Sequence, residues 1–377
     1  MSEKLWIWQH SDWPRFHWDG ERLAPLLREC AKAQGRLLGM SGVAGGSAEL
    51  LESLDTMLQN IITSSAIEGE QLNAASVRSS LARRLGLADE GKPSPRSEGL
   101  AELMMDATRR HDKPLTLERL FAWHQWLFPT NNSLLANPIR VGQLRGDEPM
   151  QVISGRIDRP TVHFEAPPRA VLHQQMTDFL NWFTVSRNDP NIDPLIRAGI
   201  AHFWSVTLHP FDDGNGRMTR ALTDLALAQG DQQAIRFYAM SVSILGDRSG
   251  YYHILETSQK GTPDISAWLE WFLLTLLRSM EHALLRIERV LAKTRFWELH
   301  RGDGLLAEQV KVLNRLLDGG ERGFEEGINA AQYQAVAKVS KATATRHLAD
   351  LLKKECLTRL PGAGRSTRYR VNWSPGT

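Results

Sequence analysis

The sequence has few cysteines and no long apolar run. Only two cysteines, Cys30 and Cys356, occur in 377 residues, so a disulfide framework is excluded and a reducing compartment is the simplest expectation. The most apolar stretch, 268–277, contains Glu270 and is followed by Arg278, which makes it too short to span a bilayer. The N-terminus lacks the apolar core of a signal peptide. We therefore expect a cytoplasmic protein with no membrane partner.

Several catalytic patterns are also absent. No set of cysteines and histidines has the spacing of a zinc site, and no glycine-rich run ends in Lys-Ser or Lys-Thr. The sequence shows no pair of carboxylates of the glycosidase kind. It also has neither internal repeats nor low-complexity tracts. What remains is an ordinary globular composition, 42% hydrophobic, in a chain long enough for two or three domains.

Apolar residues at three- and four-residue steps predict helices through most of the chain, so the predicted fold class is mainly α. We predict three regions: a tryptophan-rich helical module at 1–90, a helical body at 98–290 and a third region at 300–377. The aromatic start of the chain favours a segment that docks onto the body. A stacking platform for bases is the alternative. The glycine-rich stretch 41–47 predicts a break between two helices.

One region departs from the helical pattern. Short extended stretches at 151–154 and 161–165, bounded by glycine and proline, predict a β-hairpin. An isolated hairpin is marginal in water, so it must pack on the helices. It is either a decorated loop or a flap, and in the second case its strand at Thr161, Val162 and His163 holds an extended peptide by strand addition.

The C-terminal region is the basic part of a chain whose net charge is only +2. Residues 338–370 hold nine Lys and Arg against two Asp and Glu, and the order of three helices and two short strands over 305–371 predicts a winged helix-turn-helix. Such a surface is typical of DNA binding. A solvated helix face, a protein contact and a homodimer contact are the alternatives. The candidate DNA-contacting residues are Thr343, Thr345, Arg346, Arg365 and Arg368.

The stretch 209–220 concentrates the chemistry of the chain. It places His209 before a Gly-Asn-Gly turn, between two segments with helical spacing, so that backbone N–H groups and two arginines can converge on an anion. Because no serine or cysteine stands beside it, His209 is expected to act as a base on an incoming group. A histidine that caps a helix is the alternative. Asp213 is placed to hold Mg²⁺ against phosphate oxygens. The candidate anion-binding residues are Gly214, Asn215, Gly216, Arg217 and Arg220.

These twelve residues read His-Pro-Phe-x-Asp-Gly-Asn-Gly-Arg-x-x-Arg, which resembles the signature of the Fic family at every fixed position. The resemblance covers about residues 98–290. It implies a helical core with a flap, which transfers AMP from ATP to a Tyr, Thr or Ser hydroxyl of a target protein bound along the flap and releases pyrophosphate. The protein itself is a further target in this reading.

The resemblance also assigns roles to single residues. It implies that His209 is the base, that Asp213 binds Mg²⁺ and that the two arginines of the motif hold the β- and γ-phosphates of ATP. It implies a nucleotide pocket near Tyr251 and Tyr252. Gly216 stands where the kinase branch of the family has a lysine, so phosphate transfer is disfavoured.

A second pattern lies upstream, at 64–69, where the chain reads Ser-Ser-Ala-Ile-Glu-Gly. Taken alone, Glu-Gly after a helix is an ordinary C-terminal stop. The same letters are similar to the inhibitory motif of the family, which implies that Ser64, Glu68 and Gly69 restrain the site, with Glu68 pairing to Arg220. The resemblance thus implies an auto-inhibited adenylyltransferase. Two alternatives stay open: a hydrolase that removes AMP, and a DNA-binding transcriptional regulator that senses nucleotide in the same pocket.

Overall fold

The computed structural model describes residues 6–44, 47–89, 91–129, 139–156, 159–231, 237–319, 324, 326–361 and 367–373. The chain divides into two compact units, Met1–Ala283 and Leu284–Thr377. In the described residues, no helix has both the length and the apolar character needed to cross a membrane.

The larger unit is helical apart from one hairpin, in agreement with the predicted fold class. Its elements are α1 (Gly20–Ala44), α2 (Ser47–Ile67), α3 (Ala74–Arg84), α4 (Pro95–Arg109), α5 (Leu117–Leu127), β1 (Gln151–Arg156), β2 (Arg159–Glu165), α6 (Arg169–Val185), α7 (Pro194–Leu208), α8 (Asn215–Asp231), α9 (Met240–Gly246), α10 (Arg248–Gln259) and the first part of α11 (Ser266–Leu299).

The core of this unit is built around α7. From Leu195 to Leu208 every residue of this helix except Ser205 is buried, which is the pattern of a helix packed on all sides. Gly199 allows the start of α11 to come close, because a Cβ there would lie 2.7 Å from the Cδ2 atom of Leu269. This central helix carries the candidate site at its C-terminal end.

The glycine-rich break predicted at 41–47 is shorter than expected. The first helix continues to Ala44 and the second begins at Ser47, so the prediction was wrong for most of that stretch. Glycine costs a helix only about 1 kcal/mol per residue, and this is too little to end a helix by itself.

The aromatic start of the chain docks onto the body, as predicted. The Nε1–H group of Trp8 donates a hydrogen bond to the Glu165 carbonyl at 2.7 Å. Trp6 packs edge-on against Phe164, and Trp13 packs edge-on against Trp204. The segment therefore lies against the hairpin strand β2 and the central helix.

The predicted hairpin is present. Its two strands pair antiparallel, from Gln151 opposite Glu165 to Arg156 opposite Arg159, with a register shift between Val152 and Ile153. The hairpin packs on the helices through Phe164, which is 2% exposed. The side chain of Ile153 is instead 56% exposed, so part of the hairpin surface is apolar and open to solvent.

The smaller unit contains the end of α11, three helices and a two-stranded antiparallel sheet. The elements are α12 (Ala307–Asp318), α13 (Ala330–Ala337), α14 (Lys341–Lys353), β3 (Leu357–Arg359) and β4 (Tyr369–Val371). Val312, Leu313 and Leu351 are buried in its own hydrophobic core. The order of elements is the predicted one, and the assignment as a winged helix-turn-helix stays a prediction.

Candidate active site

The candidate site begins where α7 ends. His209 follows the last residue of that helix in the left-handed conformation, with φ 48° and ψ 59°, and α8 starts six residues later at Asn215. Gly214 has φ +80°, and a Cβ there would also lie 2.6 Å from the Cδ2 atom of Leu127. Glycine is therefore required at this position for two reasons: its positive φ and its close contact with α5.

Two side chains hold the loop between the helices. The side-chain oxygen of Asn215 accepts from the Phe211 N–H at 2.9 Å, and its Nδ2–H group donates to the Phe211 carbonyl at 2.8 Å. His124, which the sequence did not suggest, accepts from the Gly142 N–H at its Nδ1 atom, so its Nε2–H group donates to the Asp213 carbonyl at 3.1 Å. Burial lowers the pKa of His124, which keeps the ring in this neutral form.

These contacts change the part that Asn215 can play. Both polar atoms of its side chain are used on Phe211, so only its backbone N–H group is left for an anion. The N–H groups of the first turn of α8 have no partner within the helix. Together with the positive end of the helix dipole, these groups are able to bind an anion.

The ring of His209 is oriented by its own helix. Its Nδ1 atom lies 3.1 Å from the Val206 carbonyl, so Nδ1 carries the proton and Nε2 is left as an acceptor. Burial lowers the pKa of His209, and the nearby charges of Glu68 and Asp213 partly oppose this. The imidazole is therefore neutral at pH 7 and able to take a proton.

A buried arginine fixes the backbone beside that histidine. Arg145 is 2% exposed, and its Nε–H group donates to the His209 carbonyl at 2.9 Å. Its backbone N–H donates to the Pro210 carbonyl at the same distance, and its Nη2–H group bonds the Pro167 carbonyl. Arg145 thus ties the loop to the segment after the hairpin. No motif in the sequence pointed to it.

The site opens into a cavity of about 750 Å³. His209 and residues 212–216 form one wall, and α10 forms another with Tyr251 and Tyr252. Tyr251 is 1% exposed, and its hydroxyl lies 3.0 Å from the His202 Nε2 atom. The candidate nucleotide-pocket tyrosines therefore both reach the cavity, but one of them belongs mainly to the core.

The hairpin closes the cavity on a third side. His163 lines it, and its Nδ1 atom lies 2.9 Å from a carboxylate oxygen of Glu256 on α10. Its Nε2 atom lies 2.6 Å from the Ser154 hydroxyl on the neighbouring strand. Thr161 and Val162 are exposed and lie outside the cavity lining. Of the three candidate flap residues, one contacts the site and two face solvent.

The end of α2 brings Ser64 and Glu68 to the second arginine of the motif. Arg220 is 3% exposed. Its Nε–H group donates to the Ser64 hydroxyl, and its Nη2–H group donates to the Ser64 carbonyl and to the Glu68 carboxylate, each at 2.8 Å. Gly69 follows in the left-handed region, with φ +80°, and ends the helix. Glu68, which lies 152 positions upstream, thus pairs with the guanidinium group of Arg220.

Two side chains of α10 contact residues 64–70 and hold them in place. Arg248 donates from Nε to the Ile67 carbonyl at 2.6 Å, and the Tyr252 hydroxyl lies 3.3 Å from the second oxygen of Glu68. A Cβ at Gly216 would lie 2.0 Å from the Oε1 atom of Glu68, so a side chain there would displace this carboxylate.

A second glutamate in residues 64–70 was not anticipated from the sequence. Glu70 lies 2.6 Å from the Nη1 atom of Arg217 through its Oε2 atom, and its other oxygen pairs with Arg96 at the start of α4. Arg217 is 8% exposed, and burial lowers its pKa. Both arginines of the motif are therefore bound by glutamates that lie within two residues of each other.

Asp213 is the most open polar group of the loop. Its side chain is 56% exposed, and one carboxylate oxygen accepts from the Gly214 N–H at 2.5 Å. The neighbouring Asp212 turns away to accept hydrogen bonds from Arg140 and Gly146. Among the loop carboxylates, Asp213 is thus the one left to face a cation in the cavity.

The candidate DNA-contacting residues belong to the smaller unit. Thr345 and Arg346 are exposed on α14, and the N–H group of Thr343 donates to the capping hydroxyl of Ser340 at 3.2 Å. The Nη1–H group of Arg368 donates to the Gly327 carbonyl at 2.9 Å. Arg365 lies outside the described residues.

Two family models match the chain. One, described as the Fic/DOC family, matches residues 114–227. The other is a domain of unknown function, DUF4172, and it matches residues 6–87. The first includes the loop between α7 and α8, and the second includes α2.

Relatives and a solved structure agree with the first match. The chain is 25% identical over 241 residues to the protein adenylyltransferase Fic of Drosophila willistoni, which covers 62% of this chain and 43% of the relative. It is 31% identical over 121 residues to the protein adenylyltransferase fic-1 of Caenorhabditis elegans, covering 30% and 22%. The chain therefore spans less than half the length of these curated relatives.

The crystal structure of a Fic family protein from Desulfovibrio desulfuricans resembles the fold. It has a TM-score of 0.54 at 19% sequence identity and covers 95% of this chain and 98% of its own. At this identity the likeness concerns the fold alone.

Proposed function

Because this chain belongs to the Fic family, we propose that it transfers AMP from ATP to a hydroxyl group of a target protein. The observation that carries the proposal is the arrangement of His209. Its neutral ring shares one cavity with the N-terminus of α8, with Nδ1 bound to a carbonyl and Nε2 left as an acceptor. A base beside an anion-binding helix end is what attack on a phosphate requires.

In the proposed reaction, the hydroxyl proton of the target passes to the Nε2 atom of His209. The hydroxyl oxygen forms a bond to the α-phosphorus, the bond from that phosphorus to the bridging oxygen of the β-phosphate breaks, and pyrophosphate leaves. The first-turn N–H groups of α8 stabilise the charge on the phosphate oxygens. Arg145 acts as a positioning residue, since it holds the carbonyl of His209.

The side chains beside the anion-binding loop are suited to hold a magnesium ion. The carboxylate of Asp213 is open to the cavity beside the anion-binding loop, and a single carboxylate with waters and phosphate oxygens is an ordinary magnesium environment. When bound, the ion would neutralise charge on the phosphates.

We further propose that the enzyme is restrained by residues 64–70. Glu68 pairs with Arg220 and Glu70 pairs with Arg217, so both carboxylates would compete with the β- and γ-phosphates of ATP for these guanidinium groups. A hydrogen bond to a charged group contributes about 1.5–3 kcal/mol. Glu68 is 31% exposed, and solvent screening places its contribution at the lower end of that range. Loss of the carboxylate should therefore raise turnover at least about tenfold.

Labelled ATP tests both parts of the proposal. We expect the Glu68→Gly variant, incubated with Mg²⁺ and ATP labelled at the α-phosphate, to label a protein at least about tenfold faster than the wild type. Ala66→Gly is the matched control, because it adds a glycine to the same turn and leaves the carboxylate in place. Adding His209→Ala to Glu68→Gly should abolish the labelling.

The outcomes separate the two parts. Equal labelling by Glu68→Gly and wild type would refute the proposed restraint and leave the proposed AMP transfer standing. Labelling that survives His209→Ala would remove the assigned base. No transfer of label by any variant, to the protein itself or to an extract supplied as target, would remove the transferase function.

A further inference from the structure

The smaller unit brings three different metal-binding side chains to one point. His300 follows the last residue of α11, Asp303 lies in the next turn, and Cys356 immediately precedes β3. The Nδ1 atom of His300 lies 2.7 Å from an oxygen of Asp303 and 3.5 Å from the sulfur of Cys356. All three ligand atoms lie within 4.8 Å of one another. The cluster joins residues far apart in sequence, which explains why spacing gave no sign of it.

The distances suit a tetrahedral ion. With zinc bond lengths of about 2.3 Å to sulfur and 2.0 Å to nitrogen, the two ligands lie about 3.5 Å apart, and this is the observed separation of Cys356 and His300. The imidazole and carboxylate must separate by about 0.6 Å from their hydrogen-bonding distance to reach the same geometry. The side chain of Asp303 is 31% exposed in a turn, so it is free to make this movement.

The other two ligands are held in advance by the core. His300 is 5% exposed, and its ring lies 4.4 Å from the ring of Phe296. Cys356 is fully buried, and its backbone bonds Leu351 on one side and Asn372 on the other. Two ligands fixed in the interior and a third that reaches solvent give a preorganised site with an entry path.

We propose that His300, Asp303 and Cys356 bind a divalent metal ion of the zinc type in the smaller unit. On binding, the sulfur forms a bond to the metal and the thiol proton leaves to solvent. The imidazole proton moves from Nδ1 to Nε2, which is buried without a partner in the described residues. This shift costs binding energy, so we expect weaker binding than in a four-ligand zinc finger. The bound ion would join the end of α11 to the start of β3.

Cobalt is the probe, because a thiolate bound to Co²⁺ absorbs in the near ultraviolet and a tetrahedral Co²⁺ site is coloured. The full-length protein, first stripped with a chelator, is titrated with Co²⁺ and then with Zn²⁺. We expect thiolate absorption and visible colour at one equivalent, and loss of both when Zn²⁺ displaces the cobalt. Cys356→Ser should lose the absorption. The matched control, Cys30→Ser, removes the other buried cysteine and should keep it.

A third variant distinguishes loss of a metal ligand from loss of metal binding through misfolding. Asp303→Asn alters a partly exposed side chain and keeps its shape, so the unit should fold as before by circular dichroism. We expect its cobalt affinity to fall about tenfold or more. The proposal is overturned if the wild type shows no thiolate absorption with excess cobalt, if the signal survives Cys356→Ser or disappears in Cys30→Ser, or if Asp303→Asn binds as tightly as the wild type.

Discussion

Replacing Glu70 by glutamine should reveal a second restraint on the active site. In the structure this side chain lies 2.6 Å from Arg217 and also pairs with Arg96. The substitution keeps the size of the side chain and removes the charge. Its effect is best measured in the Glu68→Gly background, where the first restraint is already absent.

The expected size follows from the contact. A hydrogen bond between charged groups contributes about 1.5–3 kcal/mol. Glu70 is 25% exposed and is shared with a second arginine, so the lower end applies. About 1.4 kcal/mol corresponds to a tenfold change. If Arg217 binds the phosphates equally in the ground and transition states, the KM for ATP should fall about tenfold while kcat changes little.

The assay is the initial rate of pyrophosphate release as a function of ATP concentration. The matched control is Glu102→Gln in the same background, because Glu102 is 23% exposed and also pairs with two arginines, Arg84 and Arg110, which lie outside the motif. An unchanged KM in the Glu70 variant, or an equal fall in the control, would refute the reasoning.

Three further predictions concern the loop itself. Because burial lowers the pKa of His209 below its ordinary value of 6.5, the loss of activity of the Glu68→Gly enzyme toward acid pH should be centred below pH 6.5; an acid limb centred above 6.5 contradicts this. Asn215→Ala leaves both backbone groups of Phe211 unpaired, at about 2–3 kcal/mol, and should lower Tm in calorimetry by roughly 3–5 °C in a unit of this size; a shift under about 1 °C contradicts this. Arg145→Met should lower kcat at least about tenfold and leave the KM for ATP within about twofold, and the reverse pattern would show that it binds nucleotide instead of positioning the base.

Contiguous features of the chain were predictable from its sequence. The hairpin was predicted from short extended stretches between turn residues. The candidate site at 209–220 was predicted because its reactive residues are neighbours in the sequence. Each of these patterns depends on residues within a few positions of one another, and local backbone preferences can be predicted from sequence over that distance.

Contacts that depend on tertiary packing were not predictable. Glu70 reaches Arg217 across 147 positions, and His124 reaches the Asp213 carbonyl across 89. These are common residue types on ordinary helices or turns, so nothing in their local pattern distinguishes them from solvated side chains. The pairing of Glu68 with Arg220 is just as distant, and it was anticipated only because residues 64–69 resemble a known motif.

The close approach at Gly216 links one residue of the turn to a contact made by another. A Cβ at position 216 would lie 2.0 Å from the Oε1 atom of Glu68, so this carboxylate, at the end of a flexible side chain, would have to move. Because the same oxygen accepts the hydrogen bond of Arg220, a larger residue at 216 would disturb the pairing of Glu68 with Arg220. A substitution in the turn can therefore weaken a contact between two residues that it does not replace.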